Sequence, residues 1–184
     1  MTDNVILESI RLFCELYVSP KIKLRAPTDD NAQYQLRNPN VLIGWLPPNQ
    51  MENLPLKLPD GLKQAIPAMV IGMDEGEDTG SDAGITIRIS FIVHDSGLNP
   101  TLDELAPNYE GYRDLLNFIF ACRQELSSTY LVAGGETAAQ KPFRWGVYQQ
   151  QPIGYWVGWL TFRATAVVLP YLQKHEQLNF DWSE

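Results

Sequence analysis

Ile85-Thr86-Ile87-Arg88-Ile89-Ser90-Phe91 trades apolar for polar residues at a period of two. That is the pattern of a strand with one face on a core and the other facing water. From Tyr109 the period changes: Tyr112, Leu115, Leu116, Ile119 and Cys122 follow helical spacing, and Leu126 extends the stripe. At about 1.5 Å per residue, a helix from Tyr109 to Leu126 spans ~27 Å, close to the length of the strands it would cover. Burying its stripe contributes on the order of 10 kcal/mol before entropy is subtracted. A strand with one oily face followed by a helix with one oily stripe points to a sheet covered on one side.

Working outward, Ile66 to Met73 reads as a short apolar strand. The acidic stretch Asp74 to Ala83 then joins it to the alternating strand as a hairpin with a long, charged tip. His94-Asp95-Ser96-Gly97 closes that strand with turn residues. Downstream, Gly134-Gly135-Glu136-Thr137 is a loop. Phe143 to Tyr148 and the run Gly154 to Leu169, separated by Gln149-Gln150-Gln151-Pro152, make a second hairpin. In the long strand Trp156, Leu160, Phe162, Ala164, Ala166 and Val168 share one face with Gly158; Tyr155, Val157, Trp159, Thr161, Arg163, Thr165 and Val167 share the other. About fifteen residues at ~3.3 Å each reach ~50 Å, so a bend near Gly158 is expected.

At the other end, Thr2 or Asp3 can cap a first helix that carries Val5, Ile6, Ile10, Phe13 and Tyr17 and stops near Pro20. Eight of the thirteen prolines lie between Pro20 and Pro67. Proline removes amide donors, so this segment reads as an ordered, wandering arm whose one strand-like run is Val41 to Leu46. The order helix, hairpin, helix, hairpin predicts a single α+β domain over residues 1–184, with a Pro-rich arm at 20–67. Its sheet is mostly antiparallel, built of two hairpins with the helices packed on one face.

The formal net charge is -8, from 22 acidic and 14 basic residues, so the surface has no electrostatic footprint for tight duplex binding. Apolar runs are too short to cross a bilayer, and Met1-Thr2-Asp3-Asn4 lacks the basic flank of a secretory signal. Cys14 and Cys122 both fall on helix stripes, where free cysteine behaves as a small apolar residue. They are read as reduced and buried, which points to synthesis in a cytoplasm. A disulfide between them is the alternative. Two cysteines and two histidines, widely scattered, supply no structural zinc site.

Chemistry has few anchors. Asp74, Glu75, Glu77, Asp78 and Asp82 crowd into nine residues without a Lys or Arg. A calcium loop needs oxygen ligands at alternate positions and a terminal bidentate Glu. Here Gly76 stands at a ligand position and no Glu follows Asp82, so a solvated hairpin tip is the plainer reading. His94 beside Asp95 fits turn chemistry better than acid–base work. His175 sits in a polar tail, and Ser81 lacks the glycine spacing of a nucleophile elbow. No catalytic residue, metal or cofactor is expected. The strongest remaining signal is aromatic: Trp145, Tyr148, Tyr155 and Trp159, with Trp156 assigned to the core. Rings left on an uncovered face mark subunit contacts or, alternatively, sugar-stacking platforms.

The succession of a first helix, a hairpin ending in Ile85 to Asp95, the helix segment Gly111-Tyr112-Arg113-Asp114-Leu115-Leu116-Asn117-Phe118 and a final hairpin with Trp156-Val157-Gly158-Trp159-Leu160-Thr161-Phe162 resembles the tail terminator (tail-completion) proteins of long-tailed bacteriophages and prophage tails. The likeness covers Ile66 to Leu169 and, loosely, the first helix; the Pro-rich arm is longer than that family leads one to expect. The resemblance implies a structural, non-enzymatic virion protein, assembled in the host cytoplasm, whose copies form a homohexameric ring. Such a ring caps the tail tube, ends tube polymerisation and joins the tail to the head connector. Its implied partners are therefore its own copies, the tail tube protein and the head–tail connector protein. DNA passes through without specific binding, and no membrane is involved. The acidic residues Asp74 to Asp82 become candidates for a lumen- or tube-facing loop, because carboxylates disfavour adhesion to phosphates. Within the same class the alternatives are a head–tail stopper or a tube subunit; outside it, a carbohydrate-binding module using Tyr155 and Trp159.

Overall fold

The computed structural model describes residues 3–27, 35–44, 64–79, 83–95, 109–129, 131–132, 137–152 and 154–166. Helix α1 (Asp3–Phe13) runs into a π turn over Cys14–Val18 and a 3-10 turn over Ser19–Lys21. Strands β1 (Leu24–Ala26), β2 (Gln35–Arg37) and β3 (Asn40–Ile43) follow, then the long hairpin β4 (Ala68–Asp78) and β5 (Ala83–His94). Helix α2 (Tyr109–Ser128) leads to β6 (Leu131–Val132), β7 (Thr137–Val147) and β8 (Tyr155–Ala166). The chain is α+β. Its main sheet has the order β3-β4-β5-β8-β7-β6, antiparallel throughout except for the β3–β4 pair, and β1 and β2 form a separate antiparallel pair.

The alternation in β5 sets the layers. Ile85, Ile87, Ile89, Phe91 and Val93 are all buried in the main core. They face Ala164, Phe162, Leu160, Gly158 and Trp156 of β8 in register. Both helices lie on that face: α1 brings Ile6, Ile10 and Phe13, and α2 brings Leu115, Phe118, Ile119, Cys122 and Leu126. Phe91 and Phe118 meet edge-on, ring centroids 4.9 Å apart. Helix α2 comes very close at Gly158, where a Cβ would stand 2.8 Å from the Ile119 Cδ1. A smaller cluster (Ile66, Val70, Ile92 and Val157, flanked by Tyr148 and Tyr155) closes one end of the opposite face.

Four expectations need correction. Tyr17 and Val5 count among the apolar residues of the first helix, yet both are exposed, and Val18 is buried. The π turn, in which the Ser19 N–H bonds the Cys14 C=O, advances each residue by less than the ~100° of an α-helix and so re-phases the stripe. In α2, Leu116 is exposed and Phe118 takes its place in the core. Thr137 begins a strand instead of belonging to a loop, so the second hairpin is longer than Phe143 to Tyr148. Among its described residues the Pro-rich arm holds three short strands, not one. Trp45, Leu46, Ser81, Asp82, Gly134 to Glu136, Val167 to Leu169 and His175 lie outside the described residues.

Candidate functional site

The acidic stretch is a strand over most of its length. Asp74, Glu75, Glu77 and Asp78 belong to β4; Asp74 is the extra residue of a bulge between Met73 and Glu75, and from Glu75 onward this arm pairs with Ala83 to Thr86. The expected long charged loop is thereby corrected for these four residues. Carboxylates continue the ladder because they stand at exposed positions and arginines answer two of them. Arg88 makes a two-pronged contact with Asp74, its Nε 2.8 Å from Oδ1 and its Nη2 2.6 Å from Oδ2. Arg163 on β8 reaches Glu77 at 3.2 Å. The hydrogen bonds that Arg88 donates to Asp74 raise its pKa above the usual value, with a smaller push from Tyr148.

This charged ladder occupies the sheet face away from the helices. Arg88 also sits 5.5 Å from the centre of the Trp159 indole. The indole lies across Gly146 of the neighbouring strand, where a Cβ would come within 2.9 Å of it. Tyr155 tilts against His94, centroids 5.4 Å apart. Trp159, Tyr148 and Tyr155 are half-buried, partly shielded by their own chain and partly open. Burial lowers the His94 pKa, against smaller opposing effects of the Gly154 backbone and Asp95.

Trp145 lies elsewhere. Its partner across the ladder is Leu160, a helix-face residue, so its ring is on the side of α2. The Arg123 guanidinium of α2 stacks 3.6 Å from the ring centre and also approaches Phe120 at 5.8 Å. Leu116 and Phe120 stand on the exposed side of the same helix. The four aromatic residues singled out from sequence therefore divide between two faces: three on the sheet face that carries the ion-pair ladder, and one at the rim of the helix layer.

Asp95 has a structural post that turn chemistry did not foresee. It is buried and accepts a hydrogen bond from the Trp156 Nε1 at 3.0 Å. Gly111 of α2 packs directly on it, leaving no room for a Cβ, which would sit 2.5 Å from the Asp95 Cβ. These contacts fix the start of α2 over the end of β5 and the start of β8. Phe120 and Arg123 carry no motif in the sequence, and Asp95 reads there only as a turn residue; Phe120 leaves a trace as a large aromatic off the helix stripe.

Among the described residues, no group of three or more His, Cys, Asp or Glu side chains is placed to hold a metal ion. None of the described helices is long and apolar enough to cross a membrane. Cys14 and Cys122 are free, buried thiols in the main core. A hydrogen bond with Cys14, followed by burial, pushes the Cys122 thiol well above its usual pKa.

No protein-family model matches the sequence, and no curated protein matches it.

Proposed function

We propose that the chain is a structural subunit of a long-tailed bacteriophage or prophage tail: a terminator whose copies form a ring on the end of the tail tube, stop its growth and join it to the head connector. One observation carries the self-assembly part of this reading. Large apolar side chains stand exposed where the helix layer meets the sheet rims: Leu12 and Ile43 on one side, Phe120 and Trp145 on the other. Clustered exposed apolar groups on a small protein mark contact surfaces. The viral part rests on the order of elements and the segments from Ile85 to Phe162 that resemble the terminator family.

The strand-borne carboxylates fit the lumen or tube side of such a ring. Asp74, Glu75, Glu77 and Asp78 extend from the sheet as an acidic arm that disfavours adhesion to passing DNA. Arg88 and Arg163 temper this by pairing with two of them.

The test is tube termination. Tube protein from the same virion is polymerised with and without this chain, and lengths and ends are measured by negative-stain imaging. Capped tubes of arrested length support the terminator role. Incorporation along the wall would identify a tube subunit, binding to connectors alone a head–tail stopper, and unchanged growth with bare ends would overturn the reading. A sugar-stacking role would instead reveal itself as quenching of tryptophan fluorescence by oligosaccharides.

A further inference from the structure

The main sheet ends in two unlike edges. On one side β6 pairs only with Thr137 and Ala138. From Ala139 onward β7 therefore has β8 on one flank and, among the described residues, no strand on the other. A bulge between Gln140 and Arg144, together with Pro142, interrupts this edge, which leaves Arg144 to Val147 as its regular stretch. The Tyr148 N–H donates to the Val157 C=O at 3.1 Å. By alternation, the amides of Trp145 and Val147 then turn outward. Beside them stand Trp145 and Phe120, 50% and 54% exposed, with Arg123 over both rings. The strand here is basic: β7 carries Lys141 and Arg144 and no acidic residue.

On the other side β3 bonds to β4 alone among the described strands. The amides of Asn40 and Gly44 donate to Pro67 and Ile71, each at 2.9 Å, so those of Val41 and Ile43 face away. Between Ile43 and α1 runs an open groove of about 510 Å³ lined by Asn4, Val5, Glu8, Ser9 and Leu12. Its apolar lining is exposed, Ile43 at 45%. This rim is acidic: α1 and its π turn carry Asp3, Glu8 and Glu15. Their one cation, Arg11, is already held by Glu8 and Glu15 at 2.6 Å each.

We infer that these two edges are the halves of one interface between copies of this chain, the β7–α2 edge of one copy seated on the β3–α1 edge of the next. Three matches select a second copy as the occupant. The strand β7 is basic and helix α1 with its π turn is acidic, in a chain whose overall excess is acidic. Each offers four residues of strand with no partner on that flank among the described residues, Arg144 to Val147 and Asn40 to Ile43. One presents projecting rings and the other an apolar groove. Because the edges differ, the contact is head-to-tail, and each copy keeps one edge of each kind free for a further neighbour. Such a chain of contacts closes only as a ring, or else grows as a helix. This inference rests on the self-assembly part of the proposed function and is independent of the viral part.

The test uses two full-length variants, each with a single edge ruined by carboxylates: Phe120→Glu with Trp145→Glu, and Leu12→Glu with Ile43→Glu. Circular dichroism checks folding, and size-exclusion chromatography with light scattering reads mass. Wild type should associate and each variant alone should be a monomer. Their equimolar mixture should stop at a heterodimer, since one good edge of each kind remains. A second pair uses exposed charges only: Lys141→Glu with Arg144→Glu, and Glu8→Lys with Glu15→Lys. Each alone should be monomeric, and mixing them should restore assemblies of wild-type size. A monomeric wild type overturns the inference. So does a one-edge variant that associates as wild type does, which would indicate a like-with-like contact, and so do mixtures that stay monomeric. Association of the wild type with failed mixing sinks the edge assignment and leaves the terminator reading standing. Successful mixing with bare tube ends does the reverse.

Discussion

Replacing Gly158 by alanine adds a single methyl group at a close approach between α2 and the sheet. The new Cβ would lie 2.8 Å from the Ile119 Cδ1, 2.9 Å from the Gly146 carbonyl oxygen and 3.3 Å from the Leu115 Cδ2. The two side-chain tips can rotate, whereas the carbonyl belongs to the neighbouring strand and can move only with it. Overpacking of this kind costs ~1–3 kcal/mol. Against it stands the reduced freedom of the unfolded chain, which favours alanine by ~0.4–1 kcal/mol. Rigid backbone is one of the clashing partners, so the first effect wins, with a net loss of about 1–2 kcal/mol. For a chain of this size, that lowers Tm by roughly 2–8 °C. Gly44→Ala is the matched control, because its Cβ would meet only the Val70 Cγ1, at an ordinary 3.6 Å. There the chain-entropy gain stands alone, and Tm should rise by ~1–4 °C. Both are measured by thermal circular dichroism at one protein concentration, since association itself shifts Tm. A Gly158→Ala protein as stable as wild type would refute the close packing of α2 on β8.

Other consequences can be checked as directly. Burial depresses the His94 pKa, so below about pH 6.5 the unfolded chain takes up a proton that the folded chain resists. Stability should therefore fall as pH drops from 7 towards 5.5, and His94→Gln should flatten that slope in urea titrations; equal slopes in the two proteins would count against it. Cys14 and Cys122 are buried, so a bulky disulfide reagent should label neither in the native protein and both in denaturant. Rapid native labelling of either would contradict the packing. Converting Asp74, Glu75, Glu77, Asp78 and Asp82 to their amides should leave association intact while impairing infectivity, and unchanged infectivity would remove the acidic arm from the proposed role.

Local rules made much of this architecture legible. The two-residue period of β5 separated Ile85, Ile87, Ile89 and Phe91 from Thr86, Arg88 and Ser90, and the same division holds in space, although Ser90 is itself buried. The two faces of β8 were likewise readable, because a strand admits no other arrangement of alternate side chains. What escaped were features set by distant partners. The acidic arm of β4 has poor strand propensity and is paired only because β5 runs alongside it, with Arg88 and Arg163 set opposite. The parallel β3–β4 pair joins residues on either side of a long Pro-rich segment, and no local pattern announces it. The rims were half legible: Trp145 attracted notice, but its seat under Arg123 depends on how far α2 leans across the sheet.

The widened turn after α1 has a corollary for length variation. It accommodates one residue more than a regular helix needs between Phe13 and Val18, and that surplus carries Val18 back to the core. Excising one solvent-facing residue there, such as Leu16, would let the segment rewind as ordinary α-helix with valine still pointing inward. Inserting one would swing it out. This short segment should thus tolerate shortening where most helices tolerate neither change.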